Sequence, residues 1–435
     1  MGTTSLATLE QRLSEALGDW LSISTTTNIT TDNYIFSTTL NQYDGSQNDY
    51  FNNWWVYIDG VTNAGVERKV KDYTTATGRL EVYGAALAAE TAARTVRVYR
   101  YRQSQKLLAL NRATEQMYPN VFIPIDDRTL LTGNILPDGH FEWWTSATAL
   151  KLYSASSVDL AKTTTAGLYR GPRGTTSVKV TADAANGYLK LSSDTYPRLL
   201  DLMDKTVNFY CWAYPEVAND ASIVIYTKQA DGTAQTLTST TTNPAGEFTR
   251  LKLESQSLND DLVEVEIRFK VATDTKYVYF DDAQLDGINL TEYLLPESYQ
   301  DGHIDHLILG GDDEEINPIF YPQDEVGDYT TIHDGTYRYL SFDALPARGY
   351  RIQLLGSKPL ETLSAQTDTI STDNTGHIQM IVAYAAHLLF EMQKAGISSQ
   401  DVGRYASESG YWLFKYNRLK SQFGKNIYSR PLRST

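Results

Sequence analysis

A chain of 435 residues, 41% of them hydrophobic, has material for roughly two to four domain cores, and no stretch reaches the roughly 18 apolar residues of a membrane span. Its 38 basic and 53 acidic residues leave a net charge of −15. That argues against a protein that grips DNA through its phosphates, although not against a surface past which DNA slides. Cys211 is the one cysteine, so an intramolecular disulfide is excluded and a reducing compartment is expected. The opening residues lack the basic and apolar regions of a secretory signal, and Leu6 breaks the myristoylation pattern after Met-Gly.

Residues 5–21 place Leu6, Leu9, Leu13, Leu17 and Trp20 at helical spacing and predict a short amphipathic helix. The polar stretch STTTNITTDN ends that period. The runs WWVYIDG, VERKVKDY, GRLEVYG and TVRVYRY then predict a small antiparallel sheet or barrel. Its inward face is Val56, Ile58, Val70, Leu80, Val82, Val96 and Val98. A second helix, QSQKLLALNRATEQM, carries Leu107, Leu110, Ala113 and Met117 on one side and stops before Pro119.

From Leu131 to about Gly287 the chain alternates almost throughout, in runs such as SVKVTAD, YLKLSS, VNFYCWAY, SIVIYTK and VEVEIRFKV. That spacing predicts a jelly roll of two packed sheets. The β signal continues less regularly through HLILGG, YTTIHDG, TYRYLSF and YRIQLLG, with the acidic run from Asp312 to Glu315 read as a solvated loop.

Two helices follow. The first shows a face of Ile378, Ile381, Val382, Ala385, Leu388, Leu389 and Met392, stopped by Gly396. Ser398 and Asp401 approximate a capping box for the second, whose face is Val402, Tyr405, Trp412, Tyr416 and Leu419. The fold class is therefore mixed α+β and multidomain: a helix plus a small antiparallel β-module, an inserted β-sandwich and a C-terminal αα-hairpin. The domains are expected at 1–131, 132–287 and 288–435, with the first and last forming one body.

No G-x-S-x-G, Walker loop, H-E-x-x-H or C-x-x-C occurs, and none of the carboxylates is marked out, so no enzyme is expected. His303 and His306 lie in a strand-like segment whose alternation sends them to opposite faces, against a shared metal. Tyr210, Trp212 and Tyr214 fall on one face of a strand, opposite Phe209, Cys211 and Ala213. That aromatic row is either an exposed platform for a sugar or the core of the sandwich. The basic tail KNIYSRPLRST has too little apolar surface to fold alone. It is a disordered tail, or an arm with Tyr428 and Leu432 as apolar anchors and Arg430 and Arg433 as charge pairs with an acidic partner.

Asn134, Leu136, Asp138, Gly139, Phe141, Glu142 and Trp143 or Trp144, with YVYFDDAQL at 277–285, resemble the first and last strands of carbohydrate-binding modules of families 4, 9 and 22. The resemblance implies a jelly roll, sugar binding, and a structural calcium ion held by Glu142 and Asp281. The plainer reading of those two is a pair of solvated carboxylates.

The flanking segments FNNWWVYIDGVTNAGVERKVKDYTTATGRLEVYGA and LLALNRATEQMYP, and the stretch from YRIQLLG through the helical hairpin, resemble particle and neck proteins of tailed bacteriophages. This implies a structural head-to-tail connector (adaptor) with a decorating jelly roll. It would be a homo-oligomeric ring of about twelve copies, bound to portal and tail or neck proteins, with genome DNA passing without specific binding. Its place would be the virion neck, assembled in the host cytoplasm, with no cofactor beyond the implied calcium. Two alternatives stand beside it. One is a virion appendage, a head or tail fibre adhesin, that binds surface glycans; the other is an accessory module of a glycoside hydrolase.

Overall fold

The structure, a computed structural model, describes residues 2–170, 174–313, 317–394 and 399–424. The chain divides into two compact units, one made of residues Met1–Ile123 with Pro359–Thr435 and the other of Pro124–Lys358.

Among its described residues the first unit holds four α-helices: α1 (Leu6–Leu17), α2 (Gln103–Met117), α3 (Thr375–Gln393) and α4 (Ser399–Phe423). Ser5 caps α1 by accepting the Thr8 N–H at 3.3 Å. Gly18 ends the helix with φ 67°, and the Asp19 N–H returns to the Ser14 carbonyl at 2.9 Å. The helix expected over 5–21 thus stops early, and Leu21 already opens a strand, Leu21–Ser24. Leu6, Leu9 and Leu13 share a core with Leu110, Ala113, Met117, Ile381, Leu389, Trp412 and Tyr416. Buried at its edge, Lys106 pairs with Asp19 at 2.9 Å, donates to Ser14 Oγ at 2.7 Å and rests 3.7 Å from the Tyr99 ring centroid.

The same unit contains a six-stranded antiparallel sheet. In spatial order its strands are Leu21–Ser24, Thr95–Tyr99, Trp55–Asp59, Val66–Thr74, Arg79–Val82 and Tyr34–Phe36. Every residue expected on its inward face, from Val56 to Val98, lies in one buried cluster.

The second unit is built on a sandwich of two five-stranded antiparallel sheets. One orders Ser154–Ser156, Gly187–Ser192, Leu262–Val271, Ala221–Gln229 and Ala234–Thr238; the other orders Val158–Thr163, Ser177–Ala182, Tyr277–Asp286, Thr206–Pro215 and Thr249–Ser257. Val180, Leu191, Phe209, Ile225, Leu251, Ile267 and Phe280 from both sheets interleave in the core. The contact boundaries fall at Ile123/Pro124 and Lys358/Pro359, where 131/132 and 287/288 were expected. Burial explains the difference. Tyr293, Leu294, Tyr299, Leu307, Leu340, Phe342 and Leu354 pack into the sandwich's own core cluster, so the irregular β region belongs with the sandwich. The tail residues Tyr428, Arg430, Leu432 and Arg433, and the cap Ser398, lie outside the described residues.

Candidate functional site

The strand Thr206–Pro215, next to the edge of its sheet, alternates strictly. Val207, Phe209, Cys211 and Ala213 point into the core with no exposed surface, whereas Tyr210, Trp212 and Tyr214 lie half-buried on the outer face. The aromatic row is therefore not the core of the sandwich. Strand pairing extends it: Tyr214 lies opposite Tyr279, and Tyr210 and Trp212 lie opposite Lys252 and Arg250. Tyr277, Tyr279, Tyr214 and Phe248 run as a stripe with ring centroids 5.4, 5.9 and 5.3 Å apart in turn.

Cations overlie these rings. Arg170 lies 3.8 Å from the Trp212 ring centroid, Arg250 4.4 Å from that of Tyr210, and Lys179 4.1 Å from that of Tyr277. Tyr210 donates its hydroxyl to Glu254 at 3.1 Å. Burial, and then that carboxylate, push its phenol up to about 12. Beside it opens a cleft of about 410 Å³ lined by Tyr210, Arg250, Lys252, Glu254, Gln284 and Arg348. Reading the sequence strand by strand did not find Arg250, Lys252 or Arg348. The alternation in RLKLES does put Arg250 and Lys252 on one outer face, but only pairing shows that this face adjoins Tyr210.

The opening motif, by contrast, is used in folding. Asn134 works as a surrogate strand: its Oδ1 accepts the Leu285 N–H at 2.8 Å and its Nδ2 donates to the Ala283 carbonyl at 3.2 Å. Gly139 is required because a Cβ there would meet the Ala283 carbonyl oxygen at 2.1 Å. Asp138 accepts the N–H groups of Glu142 and Trp143 at 2.9 and 3.1 Å, closing the turn that buries Phe141. Burial raises the Asp138 carboxyl to about 7, against the pull of those two donors.

The Asp-Asp pair of the last strand is buried where the strand bulges opposite Cys211, with Asp282 at φ 47°. His140 lies between the two carboxylates, 3.3 Å from Asp281 and 3.2 Å from Asp282, and Arg351 donates to Asp282 at 2.9 Å. Burial works against a charged His140, but the two aspartates outweigh it and raise its pKa.

Glu142 and Asp281, the implied calcium ligands, already hold donors. Glu142 accepts the N–H and hydroxyl of Thr175 and the Thr176 N–H. Asp281 accepts the N–H groups of Arg170 and Asp282 at 2.6 and 2.7 Å. A calcium ligand must turn its lone pairs to the ion, so as placed these two carboxylates do not fit one. Among the described residues no group of three His, Cys, Asp or Glu side chains is arranged to hold a metal.

His303 and His306, expected on opposite faces, line one cleft of about 410 Å³. A bulge between Ile304 and His306 breaks the alternation and sends Ile304 and Leu307 to the core. His306 Nδ1 lies 2.7 Å from Glu325.

No protein-family model matches the chain, and no curated protein matches it. Among solved structures, the C-terminal family 22 carbohydrate-binding module of Clostridium thermocellum Xyn10B is 17% identical, covers 36% of this chain and 93% of its own, and has a TM-score of 0.29. TmCBM61, solved with β-1,4-galactotriose, is 13% identical over 36% of this chain and 99% of its own, with a TM-score of 0.26. The enzymatically active domain of bacteriophage CBA120 tailspike protein 4 is 12% identical with a TM-score of 0.27, and the likeness spans 36% of this chain and only 22% of that one.

Proposed function

We propose that the chain is a non-catalytic glycan-binding component of a tailed-phage particle, with the outer face of the Thr206–Pro215 sheet as its binding surface. The reading is carried by the aromatic row Tyr210, Trp212 and Tyr214, which faces away from the core beside a cleft of about 410 Å³. A concave surface with flat apolar groups and a few convergent polar ones is the usual form of a ligand site. Single sites of this kind bind weakly, and several copies on one particle would bind by avidity. The placement on a phage particle rests on the resemblance of the flanking segments. Affinity electrophoresis of the full chain through gels containing soluble polysaccharides tests the reading. At least one polysaccharide should retard the wild type, and Trp212→Ala and Tyr214→Ala should run unretarded. Retardation that survives both substitutions would move the site elsewhere.

The connector reading is second. It is favoured by one surface of the first unit: Tyr411 and Phe414 of α4 are 57% and 70% exposed, beside a groove of about 350 Å³ lined in part by Arg100, Arg404, Trp412 and Lys415. Exposed aromatic groups with arginine are typical of protein interfaces, and a ring of about twelve copies needs such heterologous contacts. Portal or tail proteins co-purifying with the wild type but not with Tyr411→Ala/Phe414→Ala would support it.

A further inference from the structure

The cations on the aromatic face point to the class of glycan. The Tyr210 and Trp212 rings already carry guanidinium groups, at 4.4 and 3.8 Å. A neutral sugar would have to unseat them to stack on the same ring faces, losing the cation–π attraction at each. A ligand with a negative charge would instead meet them where they are. A stacked guanidinium is also held in a fixed plane, so little freedom is lost when its fork takes a carboxylate.

The adjoining cleft has the same polarity. Arg250, Lys252 and Arg348 line it together with two carboxylates, Glu254 and Asp286. Each carboxylate already accepts a neutral donor: Glu254 the Tyr210 hydroxyl at 3.1 Å, and Asp286 the Asn208 amide at 2.9 Å. Arg250 donates to the Gln284 amide oxygen at 3.3 Å and Arg348 to that of Asn289 at 2.9 Å. Lys252 is exposed and has no ion-pair partner among the described residues. A cleft with more cations than carboxylates, on a chain of net charge −15, does not follow from bulk composition.

We infer that the glycan is acidic and that a sugar carboxylate sits in the cleft beside Tyr210, among Arg250, Lys252 and Arg348. The inference rests on the glycan-binding reading and adds to it that Tyr210 and Trp212 hold the cations in place, while the half-buried Tyr214 and Phe248 rings continue the aromatic surface beside them. It is a binding claim only, with no bond made or broken.

The test is calorimetric titration of the full chain with polygalacturonate and alginate against neutral β-1,4-galactan and xylan. At least one acidic polymer should bind about tenfold or more tightly than either neutral one, and its affinity should fall as salt rises. Lys252→Gln/Arg348→Gln, checked for unchanged circular dichroism, should lose that advantage and keep any weak neutral binding. Should the double variant misfold, Lys252→Gln alone should lose part of it. Equal affinity for acidic and neutral polymers would overturn the inference and leave glycan binding standing. Binding to none of the four would overturn both. Displacement of an acidic polymer by equimolar inorganic phosphate would show a bare anion seat and overturn the sugar assignment.

Discussion

The two outer faces of the sandwich both stack arginine on tyrosine, with opposite consequences. On the sheet containing Leu262–Val271, Arg268 lies between Tyr188 and Tyr226, 4.6 and 4.1 Å from their ring centroids. Its Nε donates to the buried Glu266 at 2.6 Å, and Lys190 pairs with the same carboxylate. On the sheet containing Thr206–Pro215, Arg250 lies over Tyr210 and donates to the Gln284 amide oxygen, while Lys252 beside it is exposed and has no carboxylate partner among the described residues. Stacking alone therefore does not mark a binding cation. What marks one here is Lys252, an exposed ammonium with no carboxylate partner among the described residues, which leaves its charge for a ligand.

That comparison can be broken in several ways, and the largest effect lies between two adjacent residues. Phe209→Ala should destabilise the second unit by about 3–5 kcal/mol, because it empties a fully buried site. Tyr210→Ala should cost less than about 1 kcal/mol and weaken glycan binding. Urea unfolding followed by fluorescence measures both, and similar losses would deny that the strand has one structural and one functional face.

A pH effect comes next. The folded state keeps the Asp138 proton up to about pH 7 because the group is buried, whereas an unfolded aspartate releases it near 4. Folding thus gains from this group at low pH and loses the gain as pH rises between those values. The wild-type stability minus that of Asp138→Asn should fall by roughly 2–4 kcal/mol from pH 4 to pH 8. A difference that stays level or grows would contradict the burial argument. The Asn variant also controls for the many other carboxylates, whose titration cancels in the subtraction.

Glu266→Gln should cost about 1–3 kcal/mol, since it removes a charged acceptor shared by two cations. It should leave glycan binding unchanged. Smallest of all is Lys252→Gln, with a stability change within about 0.5 kcal/mol and its effect confined to binding. Loss of binding in Glu266→Gln without unfolding would show that the two faces are not independent.

The sequence made the interiors of these elements legible and their partners much less so. Val56 through Val98 could be assigned to one inward face because alternation reports which side of a strand is apolar. The same signal does not say which body a strand is buried against. That is why Tyr293 through Leu354, expected with the helical flanks, lie in the sandwich's core. His303 and His306 were misassigned because a bulge is invisible to a strict period of two. The motif from Asn134 to Trp143 was conspicuous because it meets demanding backbone requirements, such as the close approach of Gly139 to Ala283. The cleft was inconspicuous because Tyr210, Arg250 and Arg348 come from separate segments and are ordinary residues in each.

The most direct test sets the two faces against each other in one binding experiment. Trp212→Ala/Arg250→Ala alters the outer face proposed to bind, and Tyr188→Ala/Tyr226→Ala alters the self-paired face, each in the full chain and each checked for native circular dichroism. Titrated with the polysaccharide that binds the wild type best, the first variant should lose about tenfold or more in affinity and the second should match the wild type. Equal affinities in the two variants, or loss only in the second, would contradict the assignment of the glycan to the Tyr210–Trp212–Tyr214 face.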